Sequence, residues 1–394
     1  MGVEGGFVFR VPASIRVGLG SLDGVAEALQ GLGARRPLIV TDAVMGKTDW
    51  TRRILDRCAE AGLAPTVFDG ITSEPTTREV EAALALYGEG GCDSAIGFGG
   101  GSSLDTAKSL KLLVTNGGSI VDYEGREKFV NPGVPMVAIP TTAGTGSEVT
   151  RHVAITDPAR NVKMLITSAF LIPEVAVVDP GPMAGMPAQV TAATGIDALT
   201  HAIEAYVSKR AHPLTDSMAL SAVRIIAGNL VKAFRSPGDL AAREAMAVAA
   251  LQAGIAFSNA SVALAHAMAR PIGAWFGVPH GMANAMLLAV VMSFSLPAAR
   301  SRYAEIGRAM GAASTSDSDG RAATAAVEAV GNLCRELGIK SLAGWGVDER
   351  HLLELAPKMA ADAIDSGSPA NNPRSASADE IVDLYAKAYR DRVS

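Results

Sequence analysis

The sequence predicts an α/β N-terminal domain with a mostly parallel sheet, followed by an all-helical C-terminal domain. In the first half, short apolar runs typical of buried parallel strands alternate with helical segments; PLIVTDA (37–43) is one such run. After the Gly/Pro-rich stretch DPGPMAGMP (179–187) the segments become long, rich in Ala and Leu, and helical in period. We therefore expect one domain over residues 1–186 and a second over 187–394.

The elements of the first half follow one another with short connections. Residues 7–17 indicate one or two edge strands around Pro12. Helices are predicted over residues 21–32, 51–62, 77–88 and 103–114, and strands within residues 37–43, 64–70, 94–101 and 135–148. The last two strands each run into a loop of small residues. Between residues 151 and 187 we expect extended segments that complete the sheet, and near the C-terminus a turn (366–374) precedes a final helix (378–389).

Composition narrows the class of protein. With 394 residues, of which 48% are hydrophobic and 19% charged, the chain is long enough for two cores. The net charge of −5 argues against a nucleic-acid or anionic-membrane partner. Three scattered cysteines without a CxxC pair suit a reducing compartment. We see no signal peptide, and the longest apolar stretch (285–296), interrupted by serines, looks too short to span a bilayer. A cytoplasmic protein is expected.

Between residues 195 and 285, three of the chain's six histidines and one well-placed carboxylate form a candidate set. Asp197 and His201 are four residues apart in a helical segment, so both side chains project from one face. His266 lies in a second helical run and His280 immediately precedes Gly281. One carboxylate and three imidazoles suit a divalent iron, zinc, cobalt or nickel ion. The structural alternative is that Asp197 caps a helix and the histidines are core or surface residues.

A glycine-rich loop joins a predicted strand to a predicted helix in GFGGGSSLDTAK (97–108). Free backbone amides at a helix N-terminus, with no Cβ in the way at Gly99, Gly100 and Gly101, suit a pyrophosphate. The spacing is not GxGxxG, so the Rossmann fingerprint is absent. Ser102 and Asp105 have an alternative role as a capping box of the helix. We expect Asp105 to face the ribose or nicotinamide end of a cofactor, or the helix start.

Three further features concern a nucleotide. TTAGTGSEVT (141–150) is a second hydroxyl-rich loop that follows a strand; its alternative role is a tight turn. Asp42 ends a strand, where a carboxylate accepts hydrogen bonds from an adenosine ribose and repels a 2′-phosphate, which predicts NAD rather than NADP. Lys163 is a candidate cation near the cofactor, or else a solvated lysine.

Together these motifs resemble the iron-dependent (group III) alcohol dehydrogenase family over essentially the whole chain. The matching segments are GGGSSLDTAK, PTTAGTGSE, GIDALTHAIEAY, the AHAMA and VPHGMANA segments, and NNPR near the end. The resemblance implies a doubly wound N-terminal domain, an all-helical C-terminal domain, and a cofactor and a metal that meet between them. The family's metal ligands fall on Asp197, His201, His266 and His280, and its nucleotide pattern falls on Asp42, Gly99 to Ser102, Thr141, Thr142, Thr150 and Lys163.

The implied activity is that of an NAD-dependent, metal-dependent alcohol dehydrogenase or aldehyde reductase. It would transfer hydride between a nicotinamide and a small alcohol or aldehyde. The resemblance favours Fe(II), whereas the ligand types also allow Zn(II). It also implies a homodimer or a higher homo-oligomer.

Two positions depart from the family pattern. Many members carry a second histidine four residues after the position of His266, often assigned to proton relay or substrate contact; this chain has Arg270 there. Arg270 could receive an acidic group of the substrate, or it could be a structural arginine. Glu74 stands where many members have Asn in a PNPT motif, so a cofactor contact at that position is in doubt.

Other functions are also compatible with the sequence. A maleylacetate reductase-like enzyme would work without metal on an unsaturated oxo-acid and would suit Arg270. Glycerol dehydrogenases and dehydroquinate synthases share the implied architecture, and the latter are lyases that should place several basic residues near the metal. A non-catalytic nucleotide sensor would not require four metal ligands.

Overall fold

The computed structural model describes residues 6–72, 74–160 and 162–390. These residues form two compact units. The first contains residues 10–185, and the second contains residues 186–390 together with residues 6–9.

A six-stranded, entirely parallel sheet forms the centre of the first unit, with the spatial order β1-β9-β6-β4-β2-β3. The four inner strands of this sheet are buried apolar runs, as expected when helices cover both faces of a sheet, whereas the two edge strands are partly exposed. The strands of the unit are β1 (Ser14–Val17), β2 (Pro37–Asp42), β3 (Thr66–Ile71), β4 (Ser94–Gly99), β5 (Gly125–Arg126), β6 (Met136–Pro140), β7 (His152–Asp157), β8 (Val162–Thr167) and β9 (Val175–Val178).

Helices cover both faces of this sheet. Successive side chains of a strand point to opposite faces, so apolar strands need a covering layer on each side. The helices are α1 (Val25–Gly31), α2 (Asp49–Glu60), α3 (Thr77–Glu89) and α4 (Gly101–Asn116). Ile39 of β2 packs in one core cluster with α1 and α2. Its neighbours Leu38 and Val40 pack in another with α3 and α4. The predicted fold class, a doubly wound parallel sheet followed by helices, is confirmed.

Three local expectations for this unit need correction. The segments at 152–157 and 162–167 do not complete the main sheet; β7 and β8 pair antiparallel with each other, and β8 pairs with β5, in a separate three-stranded sheet. Only β9 joins the main sheet. The helix expected over 21–32 is a 3₁₀ turn (Ser21–Gly24) followed by α1.

Within residues 186–390 of the second unit, all regular structure is helical. Its helices are α5 (Ala188–Val207), α6 (Pro213–Arg235), α7 (Leu240–Ala260), α8 (Leu264–Phe276), α9 (His280–Ser295), α10 (Arg300–Ala309), α11 (Asp319–Glu336), α12 (Leu342–Trp345), α13 (Glu349–Asp365) and α14 (Ala378–Arg390). Residues 6–9, expected with the α/β domain, group with this unit instead, where Phe7 stacks on His212 at a centroid distance of 3.8 Å.

Three helical segments of the second unit are long and apolar enough to cross a membrane by length and composition alone. They are α6, α7 and the segment His280–Ala298, whose mean hydropathy is 1.6. The expectation that the stretch around 285–296 is too short is therefore wrong, because the helical segment His280–Ala298 extends beyond it at both ends. Part of each segment is buried inside the protein, where α6 and α7 pack against α5.

Candidate metal centre and nucleotide site

The candidate metal centre lies in the helical unit and draws its donors from three helices. Asp197 and His201 lie one turn apart on α5, and His266 lies on α8. All three are buried, and one ligand atom from each lies within 4.8 Å of the others. His280, the first residue of α9, is half-buried and stands slightly apart; its Nε2 is 4.0 Å from Asp197 Oδ1. The structure thus brings the predicted ligands together, with His280 outside the tight group of three.

Glu204, which the sequence reasoning missed, fixes the orientation of His266. Glu204 is buried on α5, and its Oε2 accepts a hydrogen bond from His266 Nδ1 at 2.7 Å. The same carboxylate accepts backbone N–H bonds from Ala263 (2.8 Å) and Ala265 (2.6 Å) at the start of α8. With Nδ1 protonated toward Glu204, Nε2 is the nitrogen available to a metal. Its spacing offered a signal, since Glu204 follows Asp197 by seven residues and shares its helix face.

Asn284 fixes the orientation of the Asp197 carboxylate in a similar way. Its Nδ2 donates to Asp197 Oδ1 at 2.7 Å, and the same nitrogen lies 3.3 Å from His280 Nε2. Asn284 is fully buried one turn after His280 on α9. The amide therefore ties the carboxylate on α5 to the start of α9. Sequence reasoning missed this residue as well, because a lone helical asparagine carries no spacing signal.

Close packing of α9 on α5 depends on Gly281. A Cβ at this position would lie 2.5 Å from the carbonyl oxygen of Ala193 and 3.2 Å from Cβ of Asp197. The first of these contacts is shorter than real Cβ atoms show. A glycine next to His280 therefore allows the two helices to approach closely enough for their donors to meet.

Charge around the centre is concentrated and buried. Burial alone would raise the pKa of Asp197, but the neighbouring His201, His266 and His280 hold it far below the usual range. Burial would lower the pKa of His266, yet the carboxylates of Asp197 and Glu204 outweigh it and raise the pKa to about 9. His201 is sandwiched between the rings of Phe257 (4.1 Å) and His266 (4.4 Å). The pocket therefore favours positive charge.

These residues fit a divalent transition-metal ion. Nε2 of His266 is buried, has no hydrogen-bond partner in the described part of the chain, and lies 3.6 Å from Asp197 Oδ1. A buried imidazole nitrogen without a partner is costly unless something binds it. One carboxylate with several imidazoles, backed by a carboxylate–histidine contact, is a donor set typical of iron or zinc.

In the α/β unit, the two small-residue loops lie side by side at the carboxyl ends of β4 and β6. Gly99 pairs with Pro140, and Thr141 N donates to Gly99 O at 2.9 Å. Gly99 has φ +152°, and a Cβ there would lie 2.5 Å from Ser103 Oγ. Helix α4 begins at Gly101 with Gly100 as its N-cap and no side-chain cap, so the alternative capping box of Ser102 and Asp105 does not form.

Asp42 ends β2 beside this loop. Its Oδ1 accepts backbone N–H bonds from Val44 and Met45, both at 2.9 Å. Its Oδ2 has no hydrogen-bond partner within the described ranges and lies 3.6 Å from where a Cβ of Gly99 would be. One oxygen is thus held by the turn while the other is left to accept from a ligand. Ligands of open α/β sheets bind at the carboxyl ends of the strands.

Asp105 and Thr150 belong to a buried network around Lys108. Asp105 accepts from Ser147 Oγ (2.6 Å) and from Ala154 N (2.9 Å), and burial raises its pKa. Lys108 Nζ donates to Thr150 Oγ1 at 3.0 Å and to Ser147 O at 3.0 Å. Both predicted residues therefore support the 141–150 loop from inside. Thr142 lies at the loop surface facing Gly100.

Comparisons with known proteins agree with this arrangement in both halves of the chain. Residues 12–180 match the model of the iron-containing alcohol dehydrogenases. Residues 191–389 match the model of the C-terminal part of the Fe-containing alcohol dehydrogenase family. The chain belongs to the iron-containing alcohol dehydrogenase family. As a family member it is an oxidoreductase acting on CH–OH groups.

Relatives in this family cover nearly the whole chain. The 1,3-propanediol dehydrogenase of Klebsiella pneumoniae is 40% identical over 389 residues, covering 97% of this chain and 99% of the relative. The NAD-dependent methanol dehydrogenase of Bacillus methanolicus is 39% identical over 381 residues, covering 96% and 99%. A crystal structure of 1,3-propanediol oxidoreductase matches with a TM-score of 0.94 at 40% identity and covers 98% of this chain and 100% of that one.

The two positions at which this chain departs from the family pattern have different surroundings. Lys163 Nζ pairs with Glu74 Oε1 at 3.0 Å, so the candidate cation is neutralised by the residue that stands in place of the family's Asn. Arg270 lies on α8 one turn after His266, is partly buried, and donates one long hydrogen bond (3.4 Å) to Ser368 Oγ. Three aromatic residues of the helical unit have different surroundings as well: Phe257 stacks on His201, Trp275 is 44% exposed and Phe276 contacts His351.

Proposed function

We propose that this protein is an NAD-dependent alcohol dehydrogenase and aldehyde reductase with one divalent metal, Fe(II), at Asp197, His201, His266 and His280. The observation that carries the proposal is the convergence of donor atoms from α5 and α8 within 4.8 Å, with an unpartnered imidazole nitrogen among them. Zn(II) is the alternative metal, because the same donor types bind it well.

The residues of the centre divide the work. When bound, a divalent ion supplies Lewis acidity at the substrate oxygen, and a nicotinamide supplies the hydride donor or acceptor. Glu204 holds the tautomer of His266, and Asn284 holds the carboxylate of Asp197. Arg270 cannot serve as a proton relay because a guanidinium does not give up its proton near neutral pH. We propose that the proton exchanges with water or with a ribose hydroxyl.

For the cofactor we propose that the diphosphate lies over Gly99, Gly100, Gly101 and Ser102, next to Thr141 and Thr142. The unpaired Oδ2 of Asp42 would accept from the adenosine ribose, which favours NAD over NADP. We propose that Asp105 and Thr150 support the adjoining loop from inside, and that Lys163, paired with Glu74, is the cation near the cofactor. The family's NAD-dependent members support this assignment.

We also propose two functional domains, 1–186 for the dinucleotide and 187–394 for the metal, apart from residues 6–9, which group with the helical unit. The proposed assembly is a cytoplasmic homodimer or higher homo-oligomer. The composition and the reduced cysteines support the compartment. A small alcohol or aldehyde is the substrate.

One experiment tests the proposal and separates the alternatives. Purified protein is analysed for metal, then reloaded with Fe(II) or Zn(II), and NADH oxidation is followed with short aldehydes. We expect close to one metal per chain and turnover that is lost on chelation. A His280→Ala variant should lose metal and turnover while still binding NADH. Full activity of metal-free protein would favour a maleylacetate reductase-like enzyme, and NADH binding without any turnover would favour a sensor.

A further inference from the structure

Arg270 is a charged side chain that forms no ion pair with any described residue. No carboxylate of the described residues lies within 4.0 Å of it, and its one hydrogen bond, to Ser368 Oγ, is long at 3.4 Å. A guanidinium has five N–H donors in a planar fork. Most of this donor capacity is therefore unused by the protein.

Arg243 in the same unit shows the bonding of an arginine whose role is structural. It is fully buried and likewise pairs with no carboxylate of the part of the chain that the structure describes, yet it donates to Thr191 Oγ1 (2.7 Å), Pro237 O (3.1 Å) and Met186 O (3.2 Å). Three good acceptors compensate its burial. Arg270 has no comparable set, so holding its side chain in place does not account for its position.

Arg270 also lies beside the metal centre. It follows His266 by four residues on α8, which places the two side chains on one face of the helix, one turn apart. Burial lowers the pKa of the Arg270 guanidinium, and the charge of Glu204 opposes this effect through space. The oxygens of Glu204 are, however, already hydrogen-bonded to His266 and to backbone N–H groups at the start of α8. An arginine remains charged in such surroundings.

We propose that Arg270 is a specificity-determining residue that binds an anionic group on the substrate. The preferred substrates are then small aldehydes, and the matching alcohols, that carry a carboxylate, sulfonate or phosphonate. Such groups match the planar fork of a guanidinium and replace the missing counter-ion. This inference rests on the proposed function, since it names the substrate class of the same site.

The test compares acids with their neutral esters on the metal-loaded enzyme. The pairs are succinate semialdehyde with methyl 4-oxobutanoate and glyoxylate with methyl glyoxylate. We expect kcat/KM to favour the acid in the parent protein. Arg270→Gln should lose about 10- to 100-fold in kcat/KM for the acids, mainly through KM, and change the esters by less than about threefold. Arg270→Lys keeps the charge but not the fork and should fall between. Arg235→Gln, which removes an exposed charge paired with Glu336, is the control.

Binding measurements keep the test independent of turnover and of the variant's folding. Calorimetry on the parent holoenzyme with NADH should give a dissociation constant for propionate at least about tenfold lower than that for propionamide. Equal affinity for the two, or acids no better than esters in the kinetics, would overturn the inference. If neutral aldehydes are reduced under those conditions, the proposed function stands without it. If no aldehyde is reduced but propionate is still bound through Arg270, the proposed function fails and the anion site remains.

Discussion

Replacing Glu204 by Gln tests whether the metal centre depends on a carboxylate that itself would bind no metal. Three N–H groups point at this side chain from 2.6 to 2.8 Å. An amide offers one oxygen and one NH₂, so at least one of the three donors meets another donor. The least harmful orientation keeps the bond to His266 and leaves Ala265 N–H unsatisfied, which costs about 1–3 kcal/mol of folding free energy.

The effect on the metal follows from the same contacts. A neutral oxygen holds His266 less firmly than a carboxylate, and loss of such a supporting contact typically weakens metal binding by about 10- to 100-fold. We expect this loss for Fe(II) or Zn(II) in a competition assay with a chelating dye. Because a bound ion stabilises the folded state according to its affinity, the gain in stability on metal loading should shrink by about 1.4 kcal/mol for each tenfold.

Glu354→Gln is the matched control, since it makes the same chemical change at an exposed residue of α13 that pairs with Arg350. It should alter neither metal affinity nor the free energy of unfolding by a measurable amount. If Glu204→Gln bound metal within twofold of the parent and unfolded at the same denaturant concentration, the orienting role of this carboxylate would be refuted.

Three further predictions concern the α/β unit. Asp42→Ala should raise KM for NADH by about 10-fold and reduce discrimination against NADPH, measured as the ratio of kcat/KM values; unchanged discrimination would refute the ribose assignment. Gly99→Ala should weaken NADH binding and lower the melting temperature, because its Cβ would collide with Ser103 at a positive φ; an unchanged dissociation constant and melting temperature would contradict this. Burial raises the pKa of Glu148 from 4.5 to about 7. Between pH 4.5 and 7 the folded state therefore holds a proton that the unfolded state has released. The resulting contribution to the free energy of unfolding is fully present below pH 4.5 and is lost as the pH rises through 7. Glu148→Gln should gain in relative melting temperature between pH 5 and 7.5, and a constant difference across that range would count against the shift.

Much of the fold was accessible from sequence because its signals are local. Buried parallel strands such as β2, β4 and β6 can be recognised in the sequence as continuous apolar runs. The pairing of β7 could not be predicted in the same way, because the residues of a strand do not show which strand it pairs with. A clue was present: HVAITD alternates between buried and half-buried positions, which is typical of an antiparallel strand with one covered face and not of a central parallel one.

The metal-centre residues divide along the same line. Asp197 and His201 could be paired from their spacing within one helix, whereas His266 and His280 needed the family resemblance to join them. Glu204 and Asn284 escaped notice because their partners lie 62 and 87 residues away along the chain. Residues that hold a ligand in place act through contacts that only the folded chain creates.

Gly281 shows that a position with no side chain can limit how such a centre changes over time. Metal–ligand bonds tolerate only a few tenths of an ångström, whereas a methyl group here would overlap the backbone of α5 by far more. Mutations that alter the preference for an ion or a substrate should therefore fall on side chains around the centre. The packing of α9 on α5 at Gly281 has to stay unchanged. A mutational library that varies this glycine would mostly sample proteins in which the donors from α5 and α9 can no longer converge.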